Sequence, residues 1–408
     1  MMHDPTVGLA ALRMEMAQEL TEGILAYWET HALDLERGGF VGQIVHPHHV
    51  VPQAHRGGIL TARILWTYAA AHEATGQATY RTHADRAYHY LTRPLWDHEF
   101  GGVYWMVDAD GHPCDTRKHI YAQAFALYGL SAYHQATGHV ESLDRARALF
   151  ELIERYAADA EHGGYAEAFS RHWRPLADAR LSVKDQDVAK SMNTHLHLIE
   201  AYTALLRVWP DPHLRARLTT LVDDFLAHIV NAETGHLHLF FEADWTPTSA
   251  TVSYGHDIEA SWLLLEADEV LQRADPQLHA AALRLARVTL HRGRDADGAL
   301  FYETHADGST DTDRHWWPQA EAVVGFLSAY QQTADPDFLH AALATWRFIR
   351  THLVDPVHGE WFWCVDQDGV TCPGQDKVGP WKGPYHNGRA CLEAMRRADL
   401  LLALHPLD

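Results

Sequence analysis

The chain has 408 residues, 47% hydrophobic and 21% charged, an ordinary globular balance that argues against disorder as a description of the whole. With 33 Lys+Arg against 54 Asp+Glu, its formal charge of −21 argues against a nucleic-acid or other phosphate-binding surface. No run approaches the ~18 apolar residues that cross a bilayer, and the N-terminus, MMHDPTVGLAALRMEMAQEL, has no basic start leading into an apolar core.

In chain order, the first pattern is an amphipathic helix over 8–30, followed by a glycine- and aromatic-rich segment, ERGGFVGQI at 36–44, that reads as a turn and short strand. A helix that is apolar nearly all round follows at 53–76, and an amphipathic one at 79–95. The same order returns as EFGGVYWMVDADG at 99–111 with helices at 117–138 and 142–158. It recurs as EHGGYAEAFSRHW at 161–173 with 186–209 and 213–231, and as ETGHLHLFFEADW at 233–245 with 253–274 and 276–292. The last rounds are DADGALFYETHADG at 295–308 with 315–334 and 337–353, and VHGEWFWCVDQDG at 357–369 with 384–404. The glycines Gly39, Gly102, Gly164, Gly235, Gly298 and Gly359 mark the period at intervals of 63, 62, 71, 63 and 61 residues.

Length alone suggests two or three domains of roughly 150 residues, but no Gly/Ser/Pro-rich linker divides the chain. Six all-round apolar helices alternating with six amphipathic ones predict an all-α fold: an (α/α)6 barrel, one domain over 1–408, with six inner and six outer helices. The hairpin-like segments are expected to cap one end. The pocket is expected at the other end, where the inner helices begin.

The four cysteines, Cys114, Cys364, Cys372 and Cys391, form no CxxC pair and no disulfide framework, which suits a reduced cytoplasmic setting. The 32 His and 14 Trp stand out, and aromatics among polar residues suit sugar rings, which present C–H faces for stacking.

A polar set marks the inner helices. Asn193 and His197 are i,i+4, His256 and Glu259 are i,i+3, and Trp317 and Glu321 are i,i+4, each pair on one helix face. Trp381, His386 and Arg389 cluster about a helix start at Pro384, and Tyr121 lies early in its helix. Arg63 sits in an apolar stretch, so a carboxylate or a ligand is expected to meet it. His195 and His197 cannot both face the pocket, and at most one of Trp316 and Trp317 is expected to line it directly. Arg389 and Glu393 read as an i,i+4 surface pair.

No metal is expected: HExxH and zinc-finger spacings are absent, and the H-x-H pairs at 195–197 and 236–238 would diverge on a helix. An inverting glycosidase would use Glu259 and Glu321 as its carboxylates, yet histidine dominates the set and suits proton transfer beside a carbonyl. Two imidazoles on opposite faces of C2 of an open-chain aldose would invert that carbon through an enediolate. Return of the proton at C1 would give a ketose. No GxGxxG or P-loop is present, and neither route needs a cofactor.

The segments KSMNTHLHLIEAY, SYGHDIEASWLL, HWWPQAEAVVGF and GPWKGPYHNGRACLE, with YAQAFALYGLSAY and GGVYWMVDADG, resemble the N-acylglucosamine 2-epimerase superfamily, most closely its cellobiose 2-epimerase branch. The resemblance covers nearly the whole chain. It implies an (α/α)6 barrel that epimerises β-1,4-linked disaccharides without a cofactor. It implies His256 and His386 as the acid/base pair, His197 and Asn193 on the reacting oxygens, Glu259 orienting the histidines and Arg63 on the enediolate. Trp317 and Trp381, with Trp316 and Glu321 beside them, would hold the sugar rings, and Tyr121 would add a hydroxyl. One departure is Gly383 in WKGPYHN, where the family more often has cysteine. The alternatives are a mannose isomerase or mannose 2-epimerase, and a silent sugar-binding protein. The partner is a small carbohydrate, with no nucleic acid and no membrane, and the protein a monomer or homodimer.

Overall fold

The computed structural model describes residues 5–182 and 185–404. These residues form twelve α-helices: α1 (Pro5–Gln18), α2 (Gly58–Thr75), α3 (Ala78–Thr92), α4 (Ile120–Thr137), α5 (Val140–Tyr156) and α6 (Met192–Val208), then α7 (Pro212–Asp224), α8 (Tyr254–Leu271), α9 (Pro276–Arg292), α10 (Trp316–Thr333), α11 (Pro336–Phe348) and α12 (Tyr385–Leu404). The predicted helices are all present, with ends shifted by a few residues. The first amphipathic pattern divides into α1 and wider helical turns that run on to Ala32. Among the described residues no helix is long and apolar enough to cross a membrane.

The even-numbered helices pack in a closed cycle, α2 on α4, α6, α8, α10 and α12 in turn, and α12 back on α2. Each is backed by an odd-numbered helix: α1 on α12, α3 on α2, α5 on α4, α7 on α6, α9 on α8 and α11 on α10. The division follows from sequence. Helix α4 buries residues on every side, from Ile120 to Tyr133, whereas α5 buries a stripe at Ala146, Leu149, Phe150 and Ile153.

Local chemistry sets the reversals at the far end. Gly76 and Gly138 end α2 and α4 in the left-handed conformation that a side chain would disfavour. Helices α7, α9 and α11 each start with an Asp cap and a proline, the Asp211, Asp275 and Asp335 carboxylates taking backbone N–H groups of the first turn.

At the other end the strand preceding each ring helix pairs antiparallel with the hairpin of the next repeat. Arg56–Gly57 joins Met106–Val107, Lys118–His119 joins Ala168–Phe169, and Lys190–Ser191 joins Phe240–Phe241. Val252–Ser253 joins Glu303–Thr304, Arg314–His315 joins Cys364–Val365, and Asp376–Val378 returns to Ile44–Val45. The hairpins therefore share an end with the N-termini of the ring helices. This corrects the expectation that they cap the opposite end.

Ion pairs lock this end: Lys118 on Asp97 at 3.1 Å and Lys377 on Asp355 at 2.9 Å are buried, and Lys190 meets the partly exposed Asp159 at 2.8 Å. Arg56 pairs with Asp34, and Arg314 with Asp295. The repeated glycine has a steric cause: a Cβ at Gly164, whose φ is +71°, would lie 2.7 Å from His195 Nε2.

The cysteine expectation is corrected at the last hairpin. Cys364 and Cys372 are bonded, their Cα atoms 5.6 Å apart. The hairpin brings them together, since Cys372 N–H donates to Cys364 O at 3.0 Å. CxxC spacing does not register a pair that faces across a turn.

Candidate active site

A cavity of about 510 Å³ opens among the N-terminal turns of the ring helices and the hairpins above them. Arg63, Tyr121, Asn193, His197, His256, Glu259, Trp316, Trp317, Trp381 and His386 all line it. Both neighbouring tryptophans reach it, against the expectation of one. Trp316 turns to meet Trp363, with centroids 4.7 Å apart, and Trp317 leans on His256 at 4.7 Å.

Five of the described histidines line the cavity, His305 and His315 among them, and the other three are tethered through the same atom. Nδ1 of His256 lies 2.8 Å from Ser253 Oγ, Nδ1 of His386 lies 2.7 Å from Glu321 Oε1, and Nδ1 of His197 lies 2.8 Å from Glu200 Oε2. A carboxylate on Nδ1 keeps the proton there, so Nε2 of His197 and His386 carries the free lone pair. A hydroxyl can donate or accept, so His256 is free to take either tautomer. His195 faces away, accepting from Tyr165 N–H at 2.9 Å, as the divergence of neighbours required.

Beneath the histidines, Arg389 is 1% exposed. Its Nη2 donates to Glu259 at 2.5 Å and Glu321 at 2.6 Å, and Nη1 to Glu200 and the Tyr385 hydroxyl. The reading of Arg389 and Glu393 as a surface pair is therefore overturned, because three buried carboxylates from other helices bind this arginine. Glu259 orients Arg389, while Ser253 orients His256. Glu321 stands behind His386 and is absent from the described residues lining the cavity.

Arg63 meets no carboxylate among the described residues. Nη2 donates to Tyr121 OH at 2.9 Å and Nη1 to Trp381 O at 3.1 Å, and the guanidinium lies 4.3 Å from the Phe125 ring centroid. Its Nε, Asn193 Oδ1, Glu259 Oε2 and Trp316 Nε1 are buried without a partner among the described residues, and all four residues line the cavity. Such atoms call for a hydroxyl-rich ligand. Gly383 sits behind this wall, where a Cβ would lie 3.1 Å from Leu60 Cδ1.

Burial pushes His256 down to about 3, helped by His197. Burial, then the Arg63 and Arg389 charges, holds His386 well below the usual imidazole range, with His197 and His256 adding to the effect. Burial, then Glu321, raises Glu259 to about 7. Burial also pushes Glu200 up, but Arg389 and His197 outweigh it and leave the carboxyl below its ordinary value. Held that low, the imidazoles of His256 and His386 are neutral near pH 7 in the free protein and able to accept a proton.

Among the described residues, two groups bring three metal-type donors within 4.8 Å of one another: Glu259, Glu321 and His386, and Asp313, Cys364 and Cys372. In the first the Arg389 guanidinium already occupies the carboxylates. In the second the two sulfurs are bonded to each other.

The sequence profile of the N-acylglucosamine 2-epimerase (GlcNAc 2-epimerase) family matches residues 38–390. The chain belongs to the N-acylglucosamine 2-epimerase family. Within that family it is 46% identical over 387 residues to a cellobiose 2-epimerase of Bacteroides fragilis, covering 94% of this chain and 98% of that one. The solved cellobiose 2-epimerase of Bacillus thermoamylovorans B4167 superposes with a TM-score of 0.92 at 39% identity, over 95% of this chain and 100% of that one. A D-mannose isomerase of Marinomonas mediterranea is 24% identical, over 93% of this chain and 96% of its own.

Proposed function

We propose that this member of the family is a cofactor-independent sugar isomerase, a cellobiose 2-epimerase in type, built as one (α/α)6-barrel unit. It interconverts the reducing-end glucose and mannose of β-1,4-linked disaccharides. The observation that carries the reading is the common tether of His197, His256 and His386 at Nδ1, which leaves three Nε2 atoms for one bound sugar. The 46% identity to a cellobiose 2-epimerase, against 24% to a D-mannose isomerase, favours the disaccharide reaction over the monosaccharide alternative.

After ring opening, one of His256 and His386 takes the C2 proton, the C–H electron pair becomes the C1=C2 bond, and the C1=O π pair moves onto O1 to give the enediolate. Arg63, with its unpaired Nε, stabilises the developing oxyanion, and His197 and Asn193 hold the neighbouring hydroxyls. Rotation about C2–C3 presents the other face, and the second imidazole, entering this step as an imidazolium beside the enediolate anion, returns its Nε2 proton there. Trp317, beside His256, stacks on the reacting ring. Trp381, beside Trp105 and Tyr121 at 6.0 and 6.3 Å, stacks on the second. Glu321 serves by fixing His386. The cytoplasmic setting stays part of this reading on composition, although the Cys364–Cys372 bridge weakens the argument from cysteine spacing.

The test is product analysis of purified protein with cellobiose and, separately, with mannose. Glucosylmannose from cellobiose supports the reading. Turnover of mannose alone moves the assignment to the monosaccharide branch. His256→Ala and His386→Ala are expected to abolish turnover in folded protein.

A further inference from the structure

Glu360, wholly buried at the base of the last hairpin, gathers four donors on one carboxylate. Oε1 accepts from Lys382 Nζ at 2.9 Å, Asn387 Nδ2 at 2.6 Å and its neighbour's backbone N–H at 2.9 Å, while Oε2 accepts from Trp28 Nε1 at 2.8 Å. Lys382 follows Trp381 in the chain, and Asn387 follows His386. The segment from residue 381 to residue 387 that these two donors hold carries one aromatic wall of the cavity, one of its histidines and the carbonyl of Trp381 that fixes Arg63. The ammonium of Lys382 also lies 5.5 Å from the centroid of Trp316.

Four of the other five repeats dock their ring helices differently. Gln123, His195, Asp257 and Gln319, each in the first turn of its helix, reach back to accept a hairpin N–H, at 2.8, 2.9, 2.9 and 2.7 Å. Those bonds seat a helix and involve no cavity residue directly. In the last repeat the acceptor has moved onto the hairpin, and the helix turn supplies a donor on either side of the cavity-lining segment.

We propose that Glu360 is a positioning residue, which through Lys382 and Asn387 sets Trp381 and His386 against the sugar. This assignment rests on the epimerase roles given to those two residues. An error of about 1 Å in such a group lowers turnover about 10²-fold, whereas a purely structural carboxylate would affect stability and leave the kinetics of the folded protein alone.

The experiment uses the double variant Glu360→Gln/Lys382→Met, which leaves no buried charge unpaired. Cellobiose kinetics and the imidazole NMR signals of His386, assigned by their loss in His386→Asn, are measured without and with the double change. We expect kcat at least about tenfold lower, KM raised, and the His386 signals shifted in the substrate-free protein. Values of kcat and KM within about twofold of the parent, with His386 signals unmoved, overturn the proposal. Should the parent fail to turn over cellobiose, the epimerase reading fails, and the substrate-free His386 signals still decide the positioning role. Should the double variant not fold, Asn387→Ala carries the same two readouts.

Discussion

Arg389 and His386 share one acceptor, Glu321 Oε1, which takes the guanidinium at 2.6 Å and the imidazole Nδ1 at 2.7 Å. The arginine thereby ties the chemistry of His386 to the carboxylates of Glu259 and Glu200 on neighbouring helices. Replacing it with methionine would strand three buried carboxylates. Arg389→Met is expected to cost about 3–5 kcal/mol of stability and to abolish turnover. Denaturant melts check this, and an unchanged midpoint would contradict the hub role.

The tethers of the histidines differ in kind, and kinetics should separate them. Glu321→Gln removes the carboxylate that fixes the His386 tautomer, so kcat is expected to fall about 10²-fold with KM little changed. Ser253→Ala frees Nδ1 of His256 while leaving the imidazole in the cavity, and a smaller fall is expected. Initial rates on cellobiose decide; equal, negligible effects would count against the assignment.

Much of the site was legible because helix geometry is local. Asn193 with His197 and His256 with Glu259 share faces at fixed spacing, and all four reach the cavity. Arg389 was misread for the same reason: Glu393 offered a local partner, while its actual partners Glu200, Glu259 and Glu321 lie 189, 130 and 68 residues away in sequence. Glu200 is i+3 from His197, so a same-face search for carboxylates would have found it. The end of the fold that holds the hairpins is set by strand pairing between successive repeats, which periodicity within a repeat does not encode.

The two aromatic walls give a substrate-dependent prediction. Trp381→Ala should lower kcat/KM for cellobiose more than for mannose, since only the disaccharide has a second ring to stack there. Parallel rate measurements on both sugars check it, and equal losses would refute the second-ring role.

Glu167, whose carboxylate accepts from Ser191 N–H at 2.7 Å and from the Thr194 hydroxyl at the start of α6, is raised by burial to about 7 from 4.5. Between those values the folded state holds the proton more often than the unfolded one. Its contribution is therefore fully present below the unfolded pKa and lost as pH rises through the folded one. Relative to the parent, Glu167→Gln should gain thermal stability on going from about pH 5 to about pH 8. A Tm difference independent of pH, or one of opposite slope, would contradict the raised carboxyl.

The central claim is that His256 and His386 move the C2 proton of a disaccharide. The most direct measurement is an NMR time course with cellobiose in D2O, following the C2 position. Formation of 4-O-β-glucosylmannose with deuterium entering at C2 is the predicted result. Glucosylmannose that retains its original C2 proton throughout, or no product and no exchange at all, would contradict it.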